Sequence, residues 1–266
     1  MTKPIITLSD NFVALISAGA SGIGKVIAEH LLALGANVHI CDISEKAISD
    51  FIEANPSASA SLCDVSDYQQ VNKVYNELRD TYGKLDLLVN NAGIAGPTAK
   101  VEDIDPTDWR ATVEVDLHAQ FYFTKLAVPL LKHNPQGGSI INISSNAAFF
   151  GFPLRSPYTA CKWALIGLTK TWAMELGPDN IRVNAICPGS VKGSRIDGVI
   201  ERDAAERGVS SDKIREIYQM QSSMRLFVGP EDIANTIAFL ASPLGACISG
   251  QAIGLDGHTE SLSNNL

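Results

Sequence analysis

The chain has 266 residues, 45% of them hydrophobic, with a net charge of −8. That length suits one large α/β domain with a sizeable core, and the acidic balance argues against nucleic acid, which selects clustered basic charge. The five cysteines (41, 63, 161, 187, 247) form no CxxC pair and read as buried free thiols of a reducing compartment.

Along the chain, apolar runs alternate with amphipathic segments. The N-terminal stretch, MTKPIITLSDNF, lacks the apolar centre of a signal peptide, and no apolar run reaches membrane-spanning length. A cytoplasmic protein is expected, without membrane contact. Short runs rich in Val, Ile and Leu predict strands over 12–17, 36–41, 59–63, 85–90, 139–144, 181–186 and 251–255. Helical spacing predicts helices over 22–34, 44–54, 67–82, 105–132, 158–176 and Pro230–Ala241. Pro230, Glu231 and Asp232 suit a helix start and its dipole. This alternation predicts a single doubly wound Rossmann-type α/β domain over 1–266, a mostly parallel seven-stranded sheet with helices on both faces. The stretch 190–225 breaks the rhythm. It is charged and irregular, and it reads as a substrate lid.

The first strand runs into Ser17-Ala18-Gly19-Ala20-Ser21-Gly22-Ile23-Gly24 and then a helix. Glycines there let the backbone approach a pyrophosphate, and the helix N-terminus offers free N–H groups. Asp42 ends the second strand, eighteen residues after Gly24. A carboxylate there accepts from an adenosine ribose 2′-hydroxyl and repels a 2′-phosphate, which favours NAD over NADP. The alternative for Asp42 is an N-cap of the 44–54 helix.

Tyr158 and Lys162 stand four residues apart on one predicted helix and share a face. An ammonium beside a phenol favours the phenolate and makes it a usable proton acceptor or donor; most such pairs, however, are ordinary helix surface. Ser144 and Ser145 close the fifth apolar run, at the strand edge where parallel sheets bind ligands, or serve simply as turn residues.

Taken in order and spacing, SAGASGIG, Cys41-Asp42, Asp64-Val65, NNAG at 90–93, INISS at 141–145, YTACK at 158–162 and Pro188-Gly189 resemble the short-chain dehydrogenase/reductase family from about residue 11 to 257. The resemblance implies an NAD-dependent oxidoreductase acting on CH–OH groups, with Tyr158 as general acid/base. Lys162 supports the tyrosine and holds the nicotinamide ribose, and Ser145 hydrogen-bonds the substrate oxygen. It further implies cofactor contacts from Ser17, Ser21, Gly22, Ile23, Gly24, Asp42, Asp64, Val65, Asn91, Ala92, Gly93, Pro188, Gly189 and Val191, with Asn90 structural. Relatives in the family also imply a homotetramer, paired through the 105–132 and 158–176 helices and the last strand.

Three departures stand out. Ala18 occupies a position the family usually fills with glycine. Asp116, in Val115-Asp116-Leu117, replaces the usual asparagine and is expected as the fourth catalytic residue. Asp256-Gly257-His258 replaces the usual Asp-Gly-Gly.

The expected substrate is a secondary alcohol or carbonyl compound, such as a sugar, polyol or other small hydroxylated, possibly anionic molecule. Arg155, Lys192 and Arg195 are the side chains that would face an anion, unless the lid charges, which include Asp197, Glu201, Asp203 and Glu206, form a solvated helix. A 3-oxoacyl-thioester reductase is the alternative enzyme, and a nucleotide-sensing or scaffold protein the non-enzyme alternative. Histidines 30, 39, 118, 133 and 258 show no metal-ligand spacing, so no metal is expected.

Overall fold

The computed structural model describes residues 6–260. Residues 1–5, at the start of the segment weighed above as a leader, and 261–266 lie outside the described residues. Strands β1 (Val13–Ser17), β2 (Asn37–Asp42), β3 (Ser59–Leu62), β4 (Leu87–Asn90), β5 (Gly138–Ile143), β6 (Ile181–Pro188) and β7 (Ala252–Leu255) form one sheet. Its order is β3-β2-β1-β4-β5-β6-β7, and every pairing is parallel. This is the doubly wound Rossmann-type arrangement. Its order reverses between β1 and β4, where such sheets open a crevice at their carboxyl ends.

The helices divide between the two faces because strand side chains alternate. Ala14 and Ile16 of β1 pack with α1 (Gly22–Ala33), α2 (Glu45–Ala54) and α9 (Pro230–Ala241), through residues such as Leu31, Phe51 and Ile237. Val13 and Leu15 face the other way, onto α3 (Tyr68–Tyr82), α5 (Ala119–Lys132) and α6 (Ser156–Leu176), through Leu78, Phe123 and Trp172. Each buried Leu, Ile or Phe side chain contributes roughly 1.5–3 kcal/mol of transfer free energy, so these two layers dominate the driving force.

Three expectations require correction. The helix predicted over 105–132 is α4 (Pro106–Val113), a π-helical turn (Glu114–His118) and then α5. The stretch 190–225 is not irregular: it holds α7 (Ser194–Arg207) and α8 (Ser211–Met220). These two pack on a small core of their own, made by Ile200, Ala204, Ile214 and Phe227. Cysteines 41, 63, 161 and 187 are buried free thiols, but Cys247 is exposed. Among the described residues, no helix is long and apolar enough to cross a membrane.

Candidate active site

The glycine-rich turn follows from close packing. Gly24 must be glycine because a Cβ there would collide with the Ala18 carbonyl and lie 2.7 Å from Asn91 Nδ2. Ala18 sits in the left-handed region at φ 49°, a conformation that costs a residue with a Cβ roughly 1–2 kcal/mol. It is held there from two sides. Gly19 N–H donates to the Cys41 carbonyl at 3.0 Å, and Asn91 Nδ2 donates to the carbonyls of Ser17 at 3.0 Å and Ala18 at 3.1 Å.

Ser17 and Asn91, both expected at the cofactor, have their side chains engaged within the protein. Ser17 is 1% exposed, and its hydroxyl accepts from the Asn91 and Ala92 amides, each at 3.0 Å. It clamps β1 to the end of β4. Asn91 likewise spends its amide group on the turn. Asn90 is structural as expected, donating to Asn142 Oδ1 at 2.9 Å and Thr124 Oγ1 at 3.1 Å.

Helix α1 begins without help from its own chain. Ser21, the N-cap, makes no side-chain cap bond, and no acidic residue stands in the first turn. The N–H groups of Gly22, Ile23 and Gly24 therefore point outward with the positive end of the helix dipole, a set of donors that fits a pyrophosphate. At the end of β2, Asp42 Oδ2 accepts from the Ala20 amide and Oδ1 from the Ser44 amide, both at 3.1 Å. Each oxygen keeps a second lone pair for a ribose hydroxyl. Ser44, not Asp42, caps α2, accepting from Ala47 N–H at 3.2 Å. Past β3, Asp64 accepts from the Ser66 amide and hydroxyl, and Val65 is nearly buried. On the other side, Gly189 N–H donates to the Leu255 carbonyl at 3.1 Å, and a Cβ there would lie 2.7 Å from that of Asp256. Pro188 ends β6, and Val191 forms a bridge with Val228, where the chain leaves for α7 and α8 and returns.

The polar centre lies between the ends of β4 and β5, α6 and the π-turn. Pro157 in the first turn of α6 suits the helix start, and one turn of helix then stacks Tyr158 above Lys162. The Lys162 amino group is 5.4 Å from the centre of the Tyr158 ring. Lys162 is 3% exposed, donates to the Ile143 carbonyl at 3.2 Å, and lies 3.8 Å from Asp116 Oδ2. Ser144 and Ser145 divide their duties. The Ser144 hydroxyl donates to the Lys162 carbonyl at 2.9 Å and ties β5 to α6. Ser145 Oγ accepts from Ala147 N–H at 3.1 Å and makes only a long 3.4 Å contact with Asn146 Oδ1, so its proton is free to turn.

The π-turn aims Asp116 inward, as such bulges frequently do at functional sites. Its Oδ1 accepts from Ile94 N–H at 2.7 Å. Its Oδ2 is buried with no hydrogen-bond partner among the described residues. Burial raises the carboxyl above the usual carboxylate range, opposed by the charge of Lys162, the Ile94 bond, Arg195 and Arg155. Gly93 leaves space above this pair: a Cβ there would lie 3.4 Å from both Asp116 Oδ1 and Lys162 Nζ.

Arg155 occupies the wall beside Tyr158, its guanidinium carbon 5.2 Å from the ring centre. Arg195 stands in the first turn of α7, and Lys192 is exposed at the lid's base, where its N–H donates to the Val228 carbonyl at 2.9 Å. Sequence reasoning missed Tyr218 of α8, whose hydroxyl interacts electrostatically with Arg155. Nothing local marks that residue, because the fold of the lid alone brings it there.

A family model described as enoyl-(acyl carrier protein) reductase matches residues 17–258. The chain is 40% identical to the trans-4-hydroxycyclohexanecarboxylate dehydrogenase of Sinomonas cyclohexanicum, over 96% of this chain and 94% of that protein. It is 35% identical to the 3-oxoacyl-(acyl-carrier-protein) reductase FabG of Thermotoga maritima, over 92% of this chain and 96% of that one. Among solved structures, NAD+-bound xylitol dehydrogenase superposes with a TM-score of 0.87 at 26% identity, covering 93% of this chain and 98% of that chain. With the motif order, the sheet topology and these matches in agreement, the chain belongs to the short-chain dehydrogenase/reductase family of oxidoreductases, which act on CH–OH groups.

Proposed function

We propose that this enzyme interconverts a secondary alcohol and its carbonyl form with NAD(H), and that Tyr158 carries the proton. The observation behind this reading is the stack of Tyr158 and Lys162 on one face of α6, with the ammonium 5.4 Å from the phenol ring and Ser145 at the facing strand end. Bound NAD supplies the acceptor or donor of the hydride. Tyr158 takes the alcohol proton in oxidation and returns one in reduction. Lys162, fixed by the Ile143 carbonyl, places its positive charge beside the phenol and would hold the nicotinamide ribose. Ser145 donates to the substrate oxygen. Asp116 orders the proton path behind Lys162. The uncapped α1 start, with Ser21, Gly22, Ile23 and Gly24, holds the pyrophosphate, and Asp42 holds the adenosine ribose. Asp64 and Val65 border the adenine, Ala92 and Gly93 the middle of the cleft, and Pro188, Gly189 and Val191 the nicotinamide amide.

The substrate is a small hydroxylated compound, in keeping with the names of the 40% identical dehydrogenase and of the xylitol enzyme. A 3-oxoacyl thioester is the second reading, favoured by the 35% identical reductase. We further place the enzyme in the cytoplasm, as one catalytic domain, and as a homotetramer. Exposed Trp109, Phe121, Trp163 and Met174 on α4, α5 and α6 supply the apolar face for subunit pairing. A stable monomer at micromolar concentration in light scattering overturns that assembly.

Tyr158→Phe tests the chemistry directly. Turnover is expected to fall by ~10²–10⁴, with NAD binding retained. Near-normal turnover in the folded variant refutes the assignment.

A further inference from the structure

We propose that Arg155 and Arg195 bind a carboxylate on the substrate, so that this enzyme acts on secondary hydroxy acids, or the matching oxo acids, in preference to neutral alcohols. The inference rests on the hydride-transfer reading above and adds the substrate class to it.

Arg155 is a cation held in the cleft without a counter-ion. Its Nη2 donates to the Ala95 carbonyl at 2.6 Å, and its side chain lies against the rings of Tyr158, at 5.2 Å, and Phe152, at 6.0 Å. Those contacts fix the guanidinium beside the hydroxyl that moves the proton. Its Nε is buried with no acceptor among the described residues. A buried N–H of a charged group left unmatched is destabilising, and a ligand oxygen would recover that loss.

Arg195 adds a second, independent observation. It stands in the first turn of α7, where the helix dipole disfavours a cation. The one acid of that turn, Asp197, is already paired with Arg215 at 2.6 Å. Arg207 of the same lid is likewise paired, with Asp203 at 2.5 Å. Neither Arg155 nor Arg195 has an ion-pair partner among the described residues, yet each lies within electrostatic reach of the other and of Asp116. The groups facing Arg155 are therefore Tyr158 of its own helix, Arg195 and Tyr218 of the lid, and Asp116 of the π-turn. Asp116 lies 3.8 Å from Lys162 and accepts from Ile94, and the charges of Arg155 and of the exposed Arg195 act on the same carboxylate. In a chain of net charge −8 this local excess of positive charge is unmatched. A planar, two-oxygen anion suits the guanidinium fork. The carboxylate is unchanged in the reaction: the bond oxidised is the carbinol C–H, and the hydroxyl proton passes to Tyr158.

Initial rates with NAD+ decide the matter on three probes: trans-4-hydroxycyclohexanecarboxylate, its methyl ester and cyclohexanol. The wild-type enzyme should favour the acid over the ester by at least tenfold in kcat/KM. In Arg155→Gln that preference should fall by tenfold or more, chiefly through KM, with partial recovery in Arg155→Lys. Ester and acid used equally well by the wild type overturn the inference and leave the hydride-transfer reading intact. Equal losses on acid and neutral alcohol in Arg155→Gln also overturn it. Turnover of none of the three probes overturns this inference and leaves hydride transfer to another alcohol or carbonyl compound intact.

Discussion

Asp116 turns one carboxylate oxygen toward the Lys162 ammonium at 3.8 Å and gives the other to the Ile94 amide at 2.7 Å. The first distance exceeds a hydrogen bond, so the pair interacts by charge or through a bridging water. Its negative charge offsets part of the positive charge that Lys162 places beside the Tyr158 ring. Asp116→Asn keeps the shape and removes the charge. We expect a folded, active enzyme whose dehydrogenase activity rises at lower pH than in the wild type. Superimposable pH–rate profiles would make Asp116 a spectator, and more than about tenfold loss of activity would show that the charge itself is required.

Asp42 links cofactor choice to the glycine-rich turn. NAD(H) should be preferred over NADP(H) by at least about tenfold, ~1.4 kcal/mol. Asp42→Ala should lose most of that preference. It should also melt at lower temperature, because the Ala20 and Ser44 amides lose their acceptor. Titration of both cofactors, with a thermal melt, measures the two effects separately. Tighter NADP(H) binding in the wild type refutes the role.

Ala18 is strained at φ 49°. Glycine adopts that conformation freely, although it adds entropy to the unfolded chain. Ala18→Gly is therefore expected to stabilise by roughly 0.5–1 kcal/mol, read as a higher urea midpoint at unchanged slope. A lower midpoint would show that the alanine methyl is used in packing.

His39 sits on β2 with both ring nitrogens engaged, Nδ1 with Ser59 Oγ at 2.7 Å and Nε2 with Ser61 Oγ at 2.8 Å. Ser59 continues to the Tyr82 hydroxyl and Ser61 to Glu77. Burial lowers the imidazole from 6.5 to about 4, opposed by Glu77. The folded protein thus resists a proton that the unfolded chain accepts. The stabilisation is complete above pH 6.5 and is lost as pH falls from 6.5 toward 4. The loss amounts to about 3 kcal/mol at most, at about 1.4 kcal/mol per unit. His39→Gln should flatten the stability–pH curve in that window in urea melts. An unchanged slope would assign the acid sensitivity to other groups.

Much of the sheet was legible because its central strands are covered on both faces and are rich in apolar residues, Ile140-Ile141 of β5 being one example. The Tyr158–Lys162 pair was legible because helix periodicity alone fixes their shared face. The lid helices were not. Ile196, Ile200 and Ala204 carry the helical spacing, but Gly198 and the surrounding charges dilute it, and their partners Ile214 and Phe227 come from elsewhere in the chain. The π-turn was hidden for a related reason. Nothing in Glu114–His118 specifies it locally, while the Ile94 amide, far away in sequence, pulls Asp116 inward. The hydrogen bonds that Ser17 and Asn91 make within the protein were not legible, because a motif gives the neighbourhood of a residue and not the direction of its side chain.

The bridge between Val191 and Val228, flanked by Lys192 N–H on the Val228 carbonyl and Val228 N–H on the Ser190 carbonyl, brings both ends of the lid to one point. Ser145, Tyr158, Lys162 and Asp116 all lie outside that span. The segment from 191 to 228 is thus a cassette that has its own small core, begins and ends at one bridge, and is tied again where Ser223 and Met224 N–H donate to the carbonyls of His258 and Gly257. Exchange of this cassette between relatives would change which molecules enter without disturbing the groups that move the proton.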